Sequence, residues 1–275
     1  MSLSTAPSPH HAPPGARAPF GEHLRHWRQH RRLSQQNLAF EAEVSTRHLS
    51  YVETGRAQPS REMVLRLAER LSVPLRERNA LLVAAGFAPM YQARPLDHPE
   101  LAAARQAVDL VLQGHEPNPA LAVDRHWNLV AANAIVPLLL DGVALHLLAP
   151  PVNVLRLSLH PEGLGPRLAN AAQWRAHLLH RLQQQIAATA DGQLQALHDE
   201  IAAYPFAEDK NASPPSPIAV PFELHSPLGK LSFISTITIF GTPVDVTLQE
   251  LAVESFFPAN AETQAALRRL RQAAA

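Results

Sequence analysis

The sequence contains no cysteine, which excludes disulfides, thiolate nucleophiles and cysteine-ligated zinc. Glycine is scarce, at 11 of 275 residues, and no glycine-rich phosphate-binding loop is present. No apolar run approaches the roughly 18 residues that a transmembrane helix needs. The start of the chain is rich in Pro, His and Ser and has no apolar core of the kind found in signal peptides. These absences predict a cytoplasmic protein that does not enter a membrane.

Charge of opposite sign is concentrated in the two parts of the chain, although the whole chain has a net charge of zero. Residues 1–95 hold 13 arginines, no lysine and 7 acidic residues, a net charge of +6, and residues 96–275 carry −6. A basic first third indicates that one module meets a polyanion while the other does not. Uneven solvating charge is the alternative explanation.

The pattern along the chain predicts two domains after a leader. Residues 1–19 are rich in proline and small residues, which predicts disorder. Apolar residues at helical spacing predict five short helices within 20–88, and Pro89 and Pro95 mark a linker over 89–100. Residues 101–270 then combine helical and strand patterns, beginning with a helix over 101–114.

Two of the five helices lie close together in sequence, SQQNLAFEA at 34–42 and the segment VSTRHLSYVETGR at 44–56. Ser34 and Ser45 are placed to cap their amino ends, and Gly55 can supply the left-handed residue after the second helix. A connection of about three residues, with a small alanine at the crossing, is typical of a helix-turn-helix. A plain helical hairpin in an all-α domain is the alternative.

The second of these helices is amphipathic. Leu49 and Val52 fall on one face. The opposite face carries donors and acceptors without a carboxylate, namely Arg47, Ser50, Tyr51 and Thr54. Such a face is suited to a polar partner.

The second domain carries strand patterns at both of its ends. ALAVD and NLVAAN flank DRHW and predict two strands around a tight turn. A helical stretch over 166–203 is interrupted near Ala190 and Gly192. Further strands are predicted in AVPFEL, LSFISTITIF and VDVTL, joined by the turns SPLGK and GTP. In LSFISTITIF the apolar Leu231, Phe233, Ile237 and Ile239 alternate with polar residues, which predicts one buried face. The domain should therefore be α+β with an antiparallel sheet.

At this point the motifs resemble two known families. The block RxxxxLSQQNLA, with VSTRHLSYVETGRAQPS after it, resembles the lambda-repressor-like helix-turn-helix domains of the xenobiotic-response-element family. The segments ALAVDRHWNLVAANA, PPVNVLRLSLHPEG, WRAHLL and GTPVDVTLQELAVESFFP resemble the ligand-binding domain of MmyB-like transcription regulators. The resemblance implies an all-α helix-turn-helix domain over 20–88 and an α+β, PAS-like domain with an antiparallel sheet over 101–270.

The first resemblance also implies DNA-contacting residues. Gln35, with Gln36 beside it, would hold phosphate at the start of the second helix. The implied base-reading residues are Thr46, Arg47 and Tyr51, flanked by Ser50 and Thr54, and the implied backbone contacts are Arg56 and Arg61. Arg28 would pair with Glu53 near the end of the recognition helix. Because the block lacks lysine, phosphate contacts would come from arginine, polar side chains and helix dipoles.

The combined resemblance implies a transcription regulator and not an enzyme. It would bind a double-stranded DNA operator as a homodimer and sense a small apolar or fatty-acid-like ligand. The expected cavity-lining residues are Trp127, Leu155, Trp174, Phe222, Phe233 and Ile237, with Arg156, His160 and Arg175 as candidates for meeting a ligand carboxylate. The alternatives are that the second domain only mediates dimerisation or protein interaction, or that it holds a flavin or haem. We expect no cofactor beyond the small ligand and no metal site, since His23, His26 and His30 on the first helix have no carboxylate or cysteine to complete a ligand set.

Overall fold

The computed structural model describes residues 19–205, 220–240 and 245–273. The predicted disordered leader therefore lies outside the described residues except for Pro19, and the predicted GTP turn at 241–243 lies outside them entirely. The chain divides into two compact units, residues 1–90 and 91–275. Among the described residues, no helix has both the length and the apolar character needed to cross a bilayer.

The N-terminal unit consists of the five predicted helices. They are α1 (Phe20–His30), α2 (Gln35–Glu41), α3 (Thr46–Glu53), α4 (Arg61–Arg70) and α5 (Leu75–Ala84). Ser34, Ser45 and Ser60 each cap a helix by accepting a hydrogen bond from the backbone N–H three residues later, at 3.0, 3.1 and 3.2 Å. The predicted caps of α2 and α3 are confirmed, because these hydroxyls satisfy amide donors that have no partner within the helix.

A short connection joins α2 to α3. Its tightest point is Glu43, which adopts a left-handed backbone conformation with φ of 55°. The next residue, Val44, donates its N–H to the carbonyl of Ala39 over 2.9 Å. Gly55, with φ of 71°, ends α3 as predicted. The chain therefore changes direction within a few residues, and α3 begins shortly after α2 ends.

The core of this unit is built from one apolar stripe on each helix. Leu24, Leu38, Leu49 and Leu67 are completely or almost completely buried. The approach of α1 to α3 is close because Gly21 lies at the contact. A Cβ atom on Gly21 would lie 2.6 Å from the carbonyl oxygen of Val52, well inside van der Waals contact.

The C-terminal unit combines seven helices with a five-stranded antiparallel sheet in the part of the chain that the structure describes. In chain order these elements are α6 (Ala102–Gly114), β1 (Ala120–Val123), β2 (Leu129–Ala132), α7 (Ile135–Leu139), α8 (Val154–Leu159), α9 (Ala171–Thr189), α10 (Gly192–Ala203), β3 (Phe222–Ser226), β4 (Gly229–Ile239), α11 (Val246–Gln249), β5 (Ala252–Pro258) and α12 (Ala261–Ala273). The strand order is β2-β1-β5-β4-β3. Because β1 and β5 are adjacent in the middle, both ends of the domain build one sheet, and the predicted α+β class is confirmed.

The two faces of the sheet belong to different apolar clusters. One face of β1 and β5, which includes Ala122 and Val253, packs on Val108 and Leu112 of α6. The opposite face joins the larger cluster with α7, α8, α9 and α10, and Phe233 of β4 is fully buried there. The strands alternate their side chains between these clusters, as period-two geometry requires.

The prediction for VDVTL as a strand is wrong. Asp245 accepts a hydrogen bond from the backbone N–H of Thr247 over 2.8 Å and caps the short helix α11. The missed strand is β5, which lies between β1 and β4. Its sequence AVESFFP has two apolar, two polar and again two apolar residues in succession, so it lacks the regular alternation expected of a sheet strand.

Residues after the unit boundary are attached to the C-terminal sheet domain. Arg94 Nη1 lies 3.0 Å from Asp245 Oδ2, and its Nη2 lies 2.7 Å from Glu100 Oε2. The backbone N–H of Val246 donates to the carbonyl of Gln92 over 2.8 Å. The predicted linker over 89–100 is therefore held on the C-terminal unit from Gln92 onward.

Candidate functional site

A buried polar network fixes α1, α2 and α3 in the N-terminal unit. Arg28 donates to both carboxylate oxygens of Glu53, with Nε–Oε1 at 2.6 Å and Nη2–Oε2 at 3.0 Å. Gln35 Nε2 donates to the same carboxylate over 2.8 Å. Burial by itself raises the pKa of Glu53, but the hydrogen bonds from Arg28 and Gln35 outweigh it and hold the pKa below its ordinary value. The predicted pair of Arg28 with Glu53 is confirmed.

The outer face of α3 presents polar side chains to solvent. Leu49, Val52 and Glu53 are buried beneath it. Thr46, Arg47 and Thr54 are exposed, and Ser50 and Tyr51 are half-buried. The described part of this face carries Arg47 and no carboxylate, so its electrostatic potential favours contact with a polyanion.

Arg47 and Tyr51 are one helical turn apart and in contact. Arg47 Nε donates to the Tyr51 hydroxyl over 3.0 Å, and the guanidinium carbon lies 5.4 Å from the centre of the Tyr51 ring. This contact uses one of the five N–H donors of the guanidinium. The terminal nitrogens that would form a bidentate contact with guanine keep their donors.

The other predicted DNA contacts surround this face. Gln36, Arg56 and Arg61 are exposed, which is required for contact with a DNA backbone. Gln35 is different, because its side-chain amide donates to Glu53 instead of pointing freely outward. A phosphate contact from Gln35 would have to use other atoms or break this bond.

The C-terminal unit contains an apolar cavity between the sheet and α7, α8 and α9. It holds about 790 Å³ of space between atoms, part of it open to solvent. Its walls include Leu121, Leu155, Leu178, Phe222 and Phe256. The lining is almost entirely apolar, which suits an apolar ligand.

Two polar side chains interrupt the apolar lining, Ser158 of α8 and Glu254 of β5. Ser158 Oγ accepts a hydrogen bond from Trp174 Nε1 over 2.8 Å. Glu254 is buried, and its Oε1 lies 3.2 Å from Arg181 Nη1. The cavity therefore has a carboxylate in its wall, supported by a cation from α9.

The guanidinium of Arg181 lies in a largely apolar environment. Its carbon is 4.2 Å from the centre of the Trp127 ring. Burial lowers the pKa of Arg181, and the nearby Glu254 carboxylate opposes that shift. Burial, together with the positive charges of Arg181 and His180, also lowers the pKa of His177, so His177 is favoured as neutral imidazole.

Comparisons with known families cover both units. A helix-turn-helix domain model matches residues 19–81, and the model of the MmyB-like transcription regulator ligand binding domain matches residues 104–270. The second match spans more than half of the chain. The chain belongs to the MmyB-like transcription regulators. It is thus a helix-turn-helix DNA-binding regulator with a ligand-binding domain. A sequence comparison with curated proteins found no match.

The cavity of this MmyB-like domain includes part of the predicted set. Leu155, Trp174, Phe222 and Phe233 line it. Trp127 is buried elsewhere in the same core and donates its Nε1 hydrogen to Gln185 Oε1 over 2.8 Å.

Ile237 is a correction to the predicted lining. It is 42 % exposed, although it is opposite Glu254 in the register of β4 and β5. The alternation in LSFISTITIF identified the correct face of β4. It could not show how far along the strand other elements cover that face, and Ile239 is exposed as well.

The predicted carboxylate anchors are also placed away from the cavity lining. Arg156 is held by Glu200, with contacts of 2.8 and 2.7 Å, and Glu200 in turn accepts from the Tyr204 hydroxyl over 2.6 Å. Arg175 Nη2 donates to the carbonyl of Ala202. These contacts connect α8 and α9 to α10, and neither arginine is among the residues that line the cavity.

His160 lies in a group of rings and carboxylates outside the cavity. Its ring is 5.1 Å from that of Tyr204 and 5.7 Å from that of His146. His146, His160 and Glu162 each offer one ligand atom, and these atoms lie within 4.8 Å of one another. This spacing would allow a divalent cation, but Glu162 and His146 are exposed and His160 Nδ1 already accepts the backbone N–H of Glu162 over 3.0 Å.

Glu254 and Arg181 are not among the residues predicted from the sequence. A signal for Arg181 was present, since Trp174, Leu178 and Arg181 recur at helical spacing on the buried face of α9. Glu254 could not be found while β5 was unrecognised as a strand.

Proposed function

We propose that this regulator reads a DNA operator with α3 and senses a small apolar or fatty-acid-like molecule in the cavity of its MmyB-like domain. The observation that supports ligand sensing is the apolar lining of the cavity, whose residues come from helices α7, α8 and α9 and from the strands. A cavity bounded by several elements can change their packing when it is filled, which is how a ligand favours one state over another.

Support for base reading by α3 comes from its outward face. Arg47 is exposed and oriented by Tyr51, and Thr46 and Ser50 lie beside it. A bidentate contact of Arg47 with guanine is worth about 1 to 3 kcal/mol of discrimination. Arg56 and Arg61 would set register on the backbone without reading sequence.

The operator complex is proposed to contain a homodimer. One such unit buries limited surface on DNA, and two recognition helices about one helical turn apart would multiply specificity. We expect coupling between ligand and DNA to pass through residues 89–114. A variant altered there that kept full ligand response in a reporter assay would contradict that route.

Native mass spectrometry of the purified full-length protein tests the sensor proposal. We expect a protein species carrying a small apolar molecule, which is released and identified after denaturation and extraction. A visible absorption band from a flavin or haem would replace the proposed ligand class. A ligand-free dimer that also fails to bind any apolar probe would favour a pure dimerisation module.

A further inference from the structure

The wall of the cavity carries the carboxylate of Glu254, which limits the kind of head group that a ligand can have. Glu254 projects from the cavity-facing side of β5, as Phe256 does two residues later. Its side chain is 6 % exposed. It is the one ionisable side chain among the lining residues that the structure describes.

The partner of this carboxylate has an unused donor. Arg181 Nη1 contacts Glu254 Oε1 at 3.2 Å, so the two charges offset each other. Arg181 Nη2 is buried and has no acceptor among the described residues. Arg181 is not among the residues that line the cavity, so it acts on a ligand through the Glu254 carboxylate that it holds.

The carboxylate and the guanidinium together favour one kind of head group. A hydroxyl or primary amide can donate to Glu254 and accept a hydrogen bond, and it adds no charge to a neutral buried pair. A ligand carboxylate has no hydrogen to donate, and it would place a second negative charge beside Glu254 in an apolar enclosure.

We propose that the cavity selects apolar chains with a neutral, hydrogen-bonding head group, such as a long-chain alcohol or amide, over the corresponding fatty acid anion. Glu254 accepts a hydrogen bond from the head group, and Arg181 holds the Glu254 carboxylate in place. The inference rests on the proposed sensor function and narrows its ligand class. It also revises the expectation that a cation anchors a ligand carboxylate.

Three probes with the same chain length test it on the full-length protein: decan-1-ol, decanamide and decanoate at pH 8. Each is titrated against bound 1-aminoanthracene, an apolar dye whose fluorescence falls on displacement. We expect the alcohol and the amide to bind at least about tenfold more tightly than decanoate, because a hydrogen bond to a charged group contributes about that factor. This comparison is made within the unaltered protein and does not depend on a variant folding.

Two variants then assign the preference to Glu254. Glu254→Gln removes the negative charge and leaves the Arg181 cation for an anion, so the preference over decanoate should fall by about tenfold or reverse. Glu223→Gln is the matched control, since Glu223 is on β3 between two cavity-lining residues but pairs with Lys230 at 3.2 Å. The control should keep the preference of the unaltered protein.

The outcomes separate the two proposals. Decanoate binding as tightly as decan-1-ol to the unaltered protein would overturn the head-group inference and leave the sensor function supported. Absence of displacement by all three probes, together with no co-purifying molecule, would overturn both. A preference that Glu254→Gln and Glu223→Gln reduce equally would overturn the role of Glu254.

Discussion

Arg28 of α1 and Glu53 of α3 face each other with both carboxylate oxygens engaged, at 2.6 and 3.0 Å. The Glu53 side chain is fully buried, while that of Arg28 is 12 % exposed. The pair thus joins the first helix to the end of the recognition helix. Removing the pair should destabilise the whole N-terminal unit.

Replacing Glu53 by Gln should destabilise the N-terminal unit by about 3 kcal/mol, since loss of one partner leaves a largely buried cation without its counter-ion. Hydrogen exchange measured by mass spectrometry on peptides from α1 and α3 reports this within the full-length protein. Glu62→Gln is the control, because Glu62 is exposed and pairs with Arg66 at 3.3 Å on the surface of α4. Equal protection in both variants would contradict the importance of the pair.

The same pair predicts a pH dependence. The pKa of Glu53 is lower in the folded protein than its ordinary value of 4.5. The stabilisation is therefore complete above pH 4.5 and is lost as the pH falls through the lowered pKa. Exchange protection of α1 and α3 should decline in that acidic range, and the decline should be shallower in Glu53→Gln. Parallel declines in the two proteins would argue against Glu53 as the titrating group.

Gly21→Ala should destabilise the N-terminal unit by about 1 to 3 kcal/mol, because the new methyl group would overlap backbone carbonyl oxygens of α3. Gly114→Ala is a matched change at the end of α6, where an added Cβ meets nothing within 4 Å. It should be neutral or slightly stabilising. Thermal unfolding followed by circular dichroism distinguishes the two, and a similar effect at both positions would refute the close approach of α1 to α3.

Arg47→Ala should weaken operator binding by about 1 to 3 kcal/mol while changing affinity for unrelated DNA much less. Arg61→Ala is predicted to weaken both kinds of complex similarly and to reduce the salt dependence of binding, since it would contact phosphate. Fluorescence anisotropy on a selected operator and on a scrambled duplex measures both. An equal loss on the two duplexes for Arg47→Ala would exclude base reading by this residue.

Val136→Phe should block the cavity, since Val136 lies in its wall on α7. Dye and decan-1-ol binding should fall at least about tenfold, because an overfilled apolar site must expand to admit a ligand. Val130→Phe on β2 adds the same volume at a position that is 39 % exposed and should leave binding unchanged. Retained decan-1-ol affinity in a folded Val136→Phe protein would place the ligand elsewhere.

Sequence periodicity predicted the five N-terminal helices well, because apolar residues recur at helical spacing and three of the five helices begin at a serine cap. Ser34 and Ser45 illustrate this, since their hydroxyls act within three residues of their own position. Arg28 and Glu53 are 25 residues apart, and their contact was predicted only through the family resemblance.

The cavity was predictable only in part. Apolar residues such as Phe222 and Phe233 could be expected inside, because strand alternation shows which face is buried. The spacing of residues along α9 could not show which arginine lies beside the cavity wall, since this depends on which turn of α9 reaches β5. Arg175 meets α10, whereas Arg181 meets Glu254 across 73 residues of sequence.

After the N-terminal unit ends at Met90, the chain is held on the C-terminal unit from Gln92, and the ion pair of Arg94 with Asp245 adds a second attachment. Asp245 caps α11, which directly precedes β5, the strand that carries Glu254. The connecting peptide is thus fastened only a few residues from a wall of the cavity. We expect a displacement of the start of β5 to move this attachment as well, only a few residues along the chain from the DNA-binding unit.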